Sequence, residues 1–293
     1  MAGTIDFKEL ASQIAEQEGL SPILPVIEKE LLHYEILRAL EKEALLDQLV
    51  FQGGTCLRLC YGSVRYSEDL DFACKPMFDV SDFAGIADLI RSTLTKRYDV
   101  EVTVKEPSPE GKLDESGVIL KRWRVDVVTA RKRPDIPLQR IKIEVAEVPA
   151  YTRAVRSLMV NYLQLPPSYA NILLYAESLE EIAADKLVSL ASASRLRYRD
   201  IWDLRWISSQ PRLKTDEIGA MVDKKVIDYR SGTSFAEGRE RILASLPDII
   251  ASKGFLDQMA RFLPRQVRAE TLDREMFCTH LADEVTRLYE LTR

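Results

Sequence analysis

Residues 51–72, FQGGTCLRLCYGSVRYSEDLDF, place a glycine pair and two closely spaced acids between two short apolar runs. The run QLVFQ reads as a short buried strand that ends at Gly53 and Gly54. Helical spacing then continues to Tyr61, Gly62 ends the helix, and LDFAC predicts a second strand. This order of strand, tight turn, helix and strand is the strongest constraint that the sequence sets on the fold.

The two acids, Asp69 and Asp71, flank a leucine at the start of the second strand. Because side chains alternate along a strand, both carboxylates are expected on one face, with Leu70 and Phe72 pointing into the core. Neighbouring carboxylates repel each other unless a cation lies between them. Magnesium prefers such oxygen ligands, so the pair predicts a site for Mg²⁺ or Mn²⁺. The plainer alternative is an exposed strand end.

The glycine pair lies where a helix is expected to begin. Without side chains, Gly53 and Gly54 allow a phosphate group to approach the backbone N–H groups at the helix N-terminus. The hydroxyl group of Thr55 adds a possible donor. An ordinary turn is the alternative, and the case for phosphate binding depends on the nearby acids.

A third acid is needed if two metal ions are to lie about 3.5–4 Å apart for in-line phosphoryl chemistry. Glu144, in IKIEV, is the preferred candidate, since alternation places it opposite the apolar residues of its strand. Asp126, in WRVDVV, has the same pattern and remains open as a rival.

The rest of the chain divides by its periodicity. Residues 6–46 have helical spacing, and so do residues 81–97. From residue 100, VEVTV, GVILKRWRVDVVTA and IKIEVAEV predict antiparallel neighbours in one sheet. After Pro166 and Pro167 the pattern is mainly helical. We therefore expect an α+β fold with an N-terminal domain at 1–165 and a helical domain at 166–293.

Composition narrows the class of protein further. A net charge of −5 over 293 residues argues against a broad nucleic-acid-coating surface but not against a local basic cleft. The basic run at 121–124, whose cations are interleaved with Trp123, and the basic run at 131–133 are candidates for such a cleft, where they could bind an RNA backbone. The four cysteines fit neither a disulfide framework nor a zinc site. No apolar run reaches the roughly 20 residues of a membrane span, and no signal peptide is recognisable, so we expect a cytoplasmic protein.

Two stretches resemble a known family. GGT followed by R-x-S-x-D-L-D-F is similar to the signature of DNA polymerase β-like nucleotidyltransferases. SLEEIAADKLVSLASASRLRYRDIWDL, at 178–204, resembles the second signature of AbiEii-type toxins, the nucleotidyltransferases of type IV toxin–antitoxin and abortive-infection systems. The resemblance covers about residues 48–207 and implies a polymerase β-like core, a mixed or antiparallel sheet flanked by helices, with the helical domain completing the cleft.

The resemblance also implies roles for single residues. Lys186 matches the lysine that contacts the nucleotide triphosphate, and Asp200 matches the functional acid of the last motif, orienting Lys186 or an arginine. Asp203 is expected to be structural. Arg65 is expected to clamp phosphate, for which its planar guanidinium is suited, and Ser67 to donate to phosphate or cap the loop.

The function implied is nucleotidyl transfer from an NTP to an acceptor hydroxyl. Asp69 and Asp71 would hold the metal ion of the nucleotide, and both, with Glu144, the catalytic one. By resemblance, the preferred acceptor is the 3′ end of tRNA, so that translation and growth stop, and an antitoxin encoded nearby is the expected partner. Three alternatives stay open: transfer to a protein, transfer to a small molecule, and a nucleotide-binding module without catalysis.

Overall fold

The computed structural model of the chain describes residues 6–17, 19–74, 80–114, 117–130 and 137–292. The basic run at 131–133 lies outside these residues. The chain forms two compact units, one of Met1–Lys112 with Ile119–Ala176 and the other of Leu113–Val118 with Glu177–Arg293. The first unit therefore includes the apolar run NILLY, which lies beyond the sequence-based boundary at residue 165.

Among the described residues, the first unit contains four α-helices: α1 (Phe7–Gln17), α2 (Leu24–Lys42), α3 (Gly53–Tyr61) and α4 (Ile86–Tyr98). The helical pattern at 6–46 is split between α1 and α2, because Gly19 has a φ of 66° and a 3₁₀ turn, Ser21–Ile23, follows it. Gly85, at a φ of 87°, likewise delays the start of α4 relative to the predicted start at residue 81.

Eight strands of the described chain form one sheet: β1 (Val50–Gln52), β2 (Leu70–Ala73), β3 (Glu101–Lys105), β4 (Lys112–Leu113), β5 (Ile119–Val128), β6 (Gln139–Ala146), β7 (Ala154–Ser157) and β8 (Leu173–Ala176). Their order is β3-β5-β6-β2-β1-β8-β7, and β4 pairs with β5 beside this path. β2 is parallel to β6 and β1 to β8, whereas β1–β2, β3–β5, β5–β6 and β7–β8 are antiparallel. The predicted α+β fold with a mixed sheet is confirmed.

The two faces of the sheet differ in character at β6. Ile141, Ile143 and Val145 are buried, and α2 packs against this strand. Lys142 and Glu144 point to the opposite face and stay partly accessible to solvent. Strict alternation therefore divides the strand into a core side and a side free for polar chemistry.

The second unit is helical in the part that the structure describes: α5 (Leu179–Ser192), α6 (Tyr198–Ser208), α7 (Thr215–Asp228), α8 (Gly232–Ala251), α9 (Lys253–Ala260), α10 (Arg265–Glu270) and α11 (Glu275–Glu290). Helix α5 contacts α6, α7 and α8. A Cβ atom on Gly238 would lie 1.8 Å from the carbonyl oxygen of Ala191, so glycine is required where α8 approaches α5. No described helix has both the length and the apolar character that a bilayer crossing needs.

Ser178 and Glu181, at the start of α5, have the spacing of a capping box, and the structure shows one of its two hydrogen bonds. The Ser178 hydroxyl accepts a hydrogen bond from the backbone N–H of Glu181 at 3.3 Å. This bond satisfies one of the N–H groups that an α-helix leaves without an intrahelical partner, and it fixes where the helix of the second sequence motif begins.

Candidate active site

The glycine corner between β1 and α3 is shaped by its contact with Asp71. Gly53 has a φ of 76°, a backbone conformation that favours glycine. A Cβ atom at this position would also lie 2.8 Å from Oδ2 of Asp71. The corner therefore requires glycine for two reasons, and it brings the N-terminus of α3 against the second acid of the motif.

Gly54 makes a second close approach, to Arg65 and Ser67. A Cβ atom on Gly54 would lie 2.3 Å from Nη2 of Arg65 and 3.0 Å from Oγ of Ser67. Both side chains are buried, and Nη1 of Arg65 donates to the carbonyl oxygen of Tyr66 at 2.7 Å. A guanidinium charge thus lies against the first turn of α3, where it adds to the positive end of the helix dipole.

The acids Asp71 and Glu144 are direct neighbours on adjacent strands. In the parallel pairing of β2 with β6, Asp71 is in register with Glu144. Leu70 and Phe72 are buried behind them, and the ring of Phe72 stacks on Phe51 at a centroid distance of 5.0 Å. The expected division of β2 into an acid-bearing face and a core face is what the structure shows.

Asp69 comes just before β2 and is held in place by three contacts. Its Oδ1 accepts from the backbone N–H of Lys142 at 3.0 Å, and its Oδ2 accepts from Nζ of Lys142 at 3.3 Å. Its carbonyl oxygen accepts a hydrogen bond from the Thr55 hydroxyl. The buried Thr55 hydroxyl, expected from the sequence to face phosphate, is thus bonded to the segment that carries the acid.

The preceding carbonyl oxygen, that of Glu68, is bound by a buried histidine. Nε2 of His33 lies 2.9 Å from it, and burial lowers the pKa of His33. Since a carbonyl oxygen only accepts, the neutral ring carries its proton on Nε2. Nζ of Lys29 donates to the Glu68 carboxylate at 2.6 Å. Glu68 is therefore anchored at both its backbone and its side chain.

The rival acid, Asp126, lies away from β2. It is in register with Arg140, and it forms ion pairs with Arg140 at 2.8 Å and Arg124 at 3.0 Å. Of the two candidates for the third acid, only Glu144 is a cross-strand neighbour of Asp71. This difference follows from the parallel pairing of β2 with β6.

The acid cluster is present in an ion-paired form. Within the described residues, no group of three or more acids, histidines or cysteines is arranged to hold a metal ion. Glu144 pairs with Arg122 at 2.5 Å, and Asp69 pairs with Lys142. The donor set itself, carboxylate oxygens beside a helix N-terminus, suits a hard divalent cation. The residues therefore fit a metal ion if the ion pairs of Arg122 with Glu144 and of the Lys142 ammonium group with Asp69 are broken.

In the second unit, Lys186 lies between two aspartates. Its Nζ is 2.9 Å from Oδ1 of Asp200 and 2.6 Å from Oδ2 of Asp203, which join α5 to α6. Asp203 is fully buried, whereas Asp200 keeps slight exposure. The guanidinium of Arg199 lies 5.0 Å from the centroid of the Phe262 ring. Lys186, Asp200 and Asp203, which the resemblance singled out, thus form one charged cluster.

A neighbouring buried cluster was missed by the sequence analysis. Nζ of Lys225, on α7, lies 3.2 Å from Glu177, 2.8 Å from Glu181 and 3.2 Å from Asp185. The one available signal was position, because Lys225 follows Val222 and Met221 on the apolar side of its helix. Its acidic partners are far away in sequence and carry no spacing that would identify them.

In the basic run at 121–124, two of the four side chains are buried and two are accessible to a ligand. Lys121 is buried and donates to the carbonyl oxygen of Pro109 at 2.7 Å. Trp123 is buried in the core, so the interpretation of an aromatic side chain that interleaves exposed cations is wrong. Arg122 and Arg124, with side chains 47% and 43% exposed, remain on the open face. Strand alternation is the reason for this division.

A glycine corner packed against an acid-x-acid strand in a mixed sheet agrees with the nucleotidyltransferase signature that the sequence resembles. Residues 35–283 match the family described as nucleotidyl transferase AbiEii toxin of type IV toxin–antitoxin systems. The match spans most of the chain, so the chain belongs to the AbiEii family of nucleotidyltransferase toxins. Enzymes of this class take an NTP substrate and, in general, a divalent metal ion, and type IV systems pair the toxin with an antitoxin.

Two solved structures are similar to the fold. MenT4, a nucleotidyltransferase toxin from Mycobacterium tuberculosis H37Rv, has a TM-score of 0.60 at 19% identity, over 97% of this chain and 88% of that chain. A candidate nucleotidyltransferase from H. pylori has a TM-score of 0.50 at 17% identity, over 91% of this chain and 93% of that chain. At these identities the likeness concerns the fold alone. Comparison with curated proteins gives no sequence match.

Proposed function

We propose that the protein is a metal-dependent toxin that transfers a nucleoside monophosphate from an NTP to the 3′ end of tRNA, and so stops translation and growth. The observation that carries this proposal is the register of Asp71 with Glu144 beside the Gly53 corner. It joins carboxylates that suit a divalent ion to backbone N–H groups that suit a phosphate group.

Asp69 and Asp71 are the residues proposed to hold the metal ion of the nucleotide, and both, with Glu144, the catalytic ion. Mg²⁺ fits best because it prefers oxygen ligands and binds readily to carboxylates together with substrate phosphates. When bound, the ions lower the pKa of the acceptor hydroxyl and stabilise the charge of the departing pyrophosphate.

The chain's own part in the reaction is to bind and orient the triphosphate. The N–H groups of Gly53 and Gly54 donate to phosphate oxygens, and Arg65 adds a positive charge behind them. Lys186, oriented by Asp200, is assigned to the β- and γ-phosphates by the family resemblance. In the transfer, the acceptor oxygen bonds to the α-phosphorus, the bond to the bridging oxygen breaks, pyrophosphate leaves, and the hydroxyl proton passes to solvent.

A nucleic-acid acceptor is supported by the open face of β5 and β6. The side chains of Arg122, Arg124, Arg140 and Lys142 are 47%, 43%, 52% and 41% exposed. Asp69 and Glu144 would hold a divalent ion in place of their ion pairs, and Lys142 and Arg122 would then be available to phosphate groups. Backbone phosphates of an RNA are suitable ligands for cations spaced along two strands.

Incubation with each α-labelled NTP and Mg²⁺, in the presence of total bacterial RNA, protein extract or small-molecule extract, tests the acceptor. Label in tRNA, removed by 3′ exonuclease, is the expected result. Label confined to protein or to small molecules would replace tRNA with that acceptor, and NTP binding without transfer would indicate a binding module. The Asp69→Ala variant is the matched control and is expected to transfer no label.

Growth provides the second test. Expression of the parent chain alone in bacteria is expected to arrest growth, and Asp69→Ala and Lys186→Ala are each expected to relieve the arrest at equal protein levels. Co-expression of the neighbouring antitoxin gene is expected to restore growth of the parent. Arrest that persists in both variants would show that toxicity does not come from this site.

A further inference from the structure

Gln52 lies in the same row of side chains as the acids of the site. It ends β1 and is in register with Asp71, which is in register with Glu144 on the other side. Phe51 points the opposite way, into the core, where it stacks on Phe72. The carboxamide of Gln52 is therefore placed on the acid-bearing face, one residue before the glycine corner.

The acceptor atom of this carboxamide has no hydrogen-bond partner in the part of the chain that the structure describes. Oε1 of Gln52 is buried, and among the described residues no group donates a hydrogen bond to it. Buried polar atoms in native proteins are nearly always hydrogen-bonded, because an unpaired acceptor loses its bonds to water without replacement. A buried, unpaired acceptor inside a candidate active site therefore indicates a group that arrives with the substrate.

The chemistry of the surroundings restricts what this group is. The cross-strand neighbours Asp71 and Glu144 only accept hydrogen bonds when ionised, and so do phosphate oxygens. Because Gln52 directly precedes Gly53 and Gly54, the part of a nucleotide nearest to it is the part close to the phosphates. The donors available there are the ribose hydroxyl groups and water on a bound metal ion.

We propose that Gln52 contacts the substrate: its Oε1 accepts a hydrogen bond from an O–H group of the bound metal–nucleotide complex, either a ribose hydroxyl or a metal-bound water. This inference rests on the proposed nucleotidyl transfer and adds a specificity-determining residue to it. A ribose contact makes Gln52 a selector of ribonucleotides over deoxyribonucleotides. A water contact makes it a determinant of metal affinity.

The test compares the parent with Gln52→Met, which keeps the side-chain length and removes the acceptor. Gln48→Met, at an exposed position of the same unit, is the matched control. Transfer rates are measured with the preferred NTP and with its 2′-deoxy and 3′-deoxy forms, and the Mg²⁺ concentration for half-maximal rate is determined. Equilibrium binding of the NTP with Mg²⁺ is measured by calorimetry, so that Gln52 is tested even if no transfer occurs.

Gln52→Met is expected to lower kcat/KM for the NTP about fivefold to tenfold, the effect of one lost hydrogen bond. With a ribose contact, the variant loses the parent's discrimination against one deoxy form. With a water contact, discrimination is kept and half-maximal Mg²⁺ rises by a similar factor. Either result supports the proposal.

Stability separates a substrate contact from a structural one. Because no described residue donates to this acceptor, Gln52→Met is expected to melt at or above the temperature of the parent. A lower melting temperature, or rates, sugar discrimination, Mg²⁺ dependence and NTP binding all within twofold of the parent, would overturn the role of Gln52. A parent that binds NTP but transfers nothing would overturn the proposed transfer and leave the binding comparison to decide on Gln52.

Discussion

At the glycine corner, the role of each residue depends on which atoms lie close to it and not on its residue type alone. Gly53 adopts a positive φ and touches Asp71, whereas Gly85 adopts a positive φ and no atom of the described residues would lie within 4 Å of a Cβ placed there. Thr55 illustrates the same dependence, since its hydroxyl is bonded to the carbonyl oxygen of Asp69. The sequence predicted the polar character of this corner, but the partners of each group depend on how α3 packs beside β2.

Gly53 and Gly85 allow the cost of backbone strain at a positive φ to be separated from the cost of a steric clash with a neighbouring side chain. Gly85→Ala is expected to cost about 1–2 kcal/mol of unfolding free energy, from the positive φ alone. Gly53→Ala is expected to cost more and to abolish most transfer activity, because its Cβ would lie 2.8 Å from Oδ2 of Asp71. Urea unfolding and transfer assays of both variants check this. Full activity in Gly53→Ala would contradict the role given to the corner.

At the scale of elements, helix α5 is fixed to its neighbours by charge. Lys186 joins it to α6, and Lys225 joins it to α7. Asp203 is fully buried whereas Asp200 keeps slight exposure, so the two partners of Lys186 differ in what they contribute. A buried carboxylate mainly stabilises the pair of helices, and a more accessible one is free to act on a ligand.

Neutral isosteres distinguish these contributions. Asp203→Asn is expected to lower the unfolding free energy by about 2 kcal/mol, because a buried ammonium loses a charged partner. Asp200→Asn is expected to cost less stability and to lower the transfer rate more than Asp203→Asn does at temperatures where both are folded. Denaturation and transfer assays on the same preparations check this. The reverse order of stabilities would contradict the assignment.

The Lys225 cluster predicts a pH dependence of stability. Burial, together with the nearby carboxylates of Asp185 and Glu181, raises the pKa of Glu177 well above its usual value. Between the unfolded and folded pKa values the native state keeps a proton that the unfolded chain has released. The contribution of Glu177 to the free energy of unfolding is therefore at its maximum below about pH 4.5. It falls as the pH rises, by up to about 1.4 kcal/mol per pH unit.

Glu177→Gln removes this dependence, so its stability relative to the parent is expected to rise between pH 5 and pH 8. Glu180→Gln is the matched control of opposite sign: burial acts to raise the pKa of Glu180, but the backbone N–H groups of Lys214 and of Glu180 itself hold it below its usual value. Urea unfolding at both pH values checks the two variants. Parallel pH profiles for Glu177→Gln and the parent would contradict the account.

At the scale of the whole molecule, local patterns predicted elements and faces, whereas long-range pairing decided the site. Alternation along β6 gave Glu144 a polar face, but the same was true of Asp126 on β5. The choice between them follows from the parallel pairing of β2 with β6, and no local pattern contains that pairing. The buried partners of Lys225, and the burial of Lys121 and Trp123 on the core side of β5, depend in the same way on packing between distant segments.

The measurement that tests the central claim most directly is Mg²⁺-dependent transfer by three single variants. Asp71→Asn and Glu144→Gln are expected to lower the rate of nucleotide transfer at least about a hundredfold, because each removes a carboxylate from the proposed metal centre. Asp126→Asn, which removes an acid whose ion pairs among the described residues are with the exposed Arg124 and Arg140, is expected to stay within about threefold of the parent. A parent-like rate in Asp71→Asn or Glu144→Gln, with a collapse in Asp126→Asn, would contradict the metal centre derived from the register of β2 and β6.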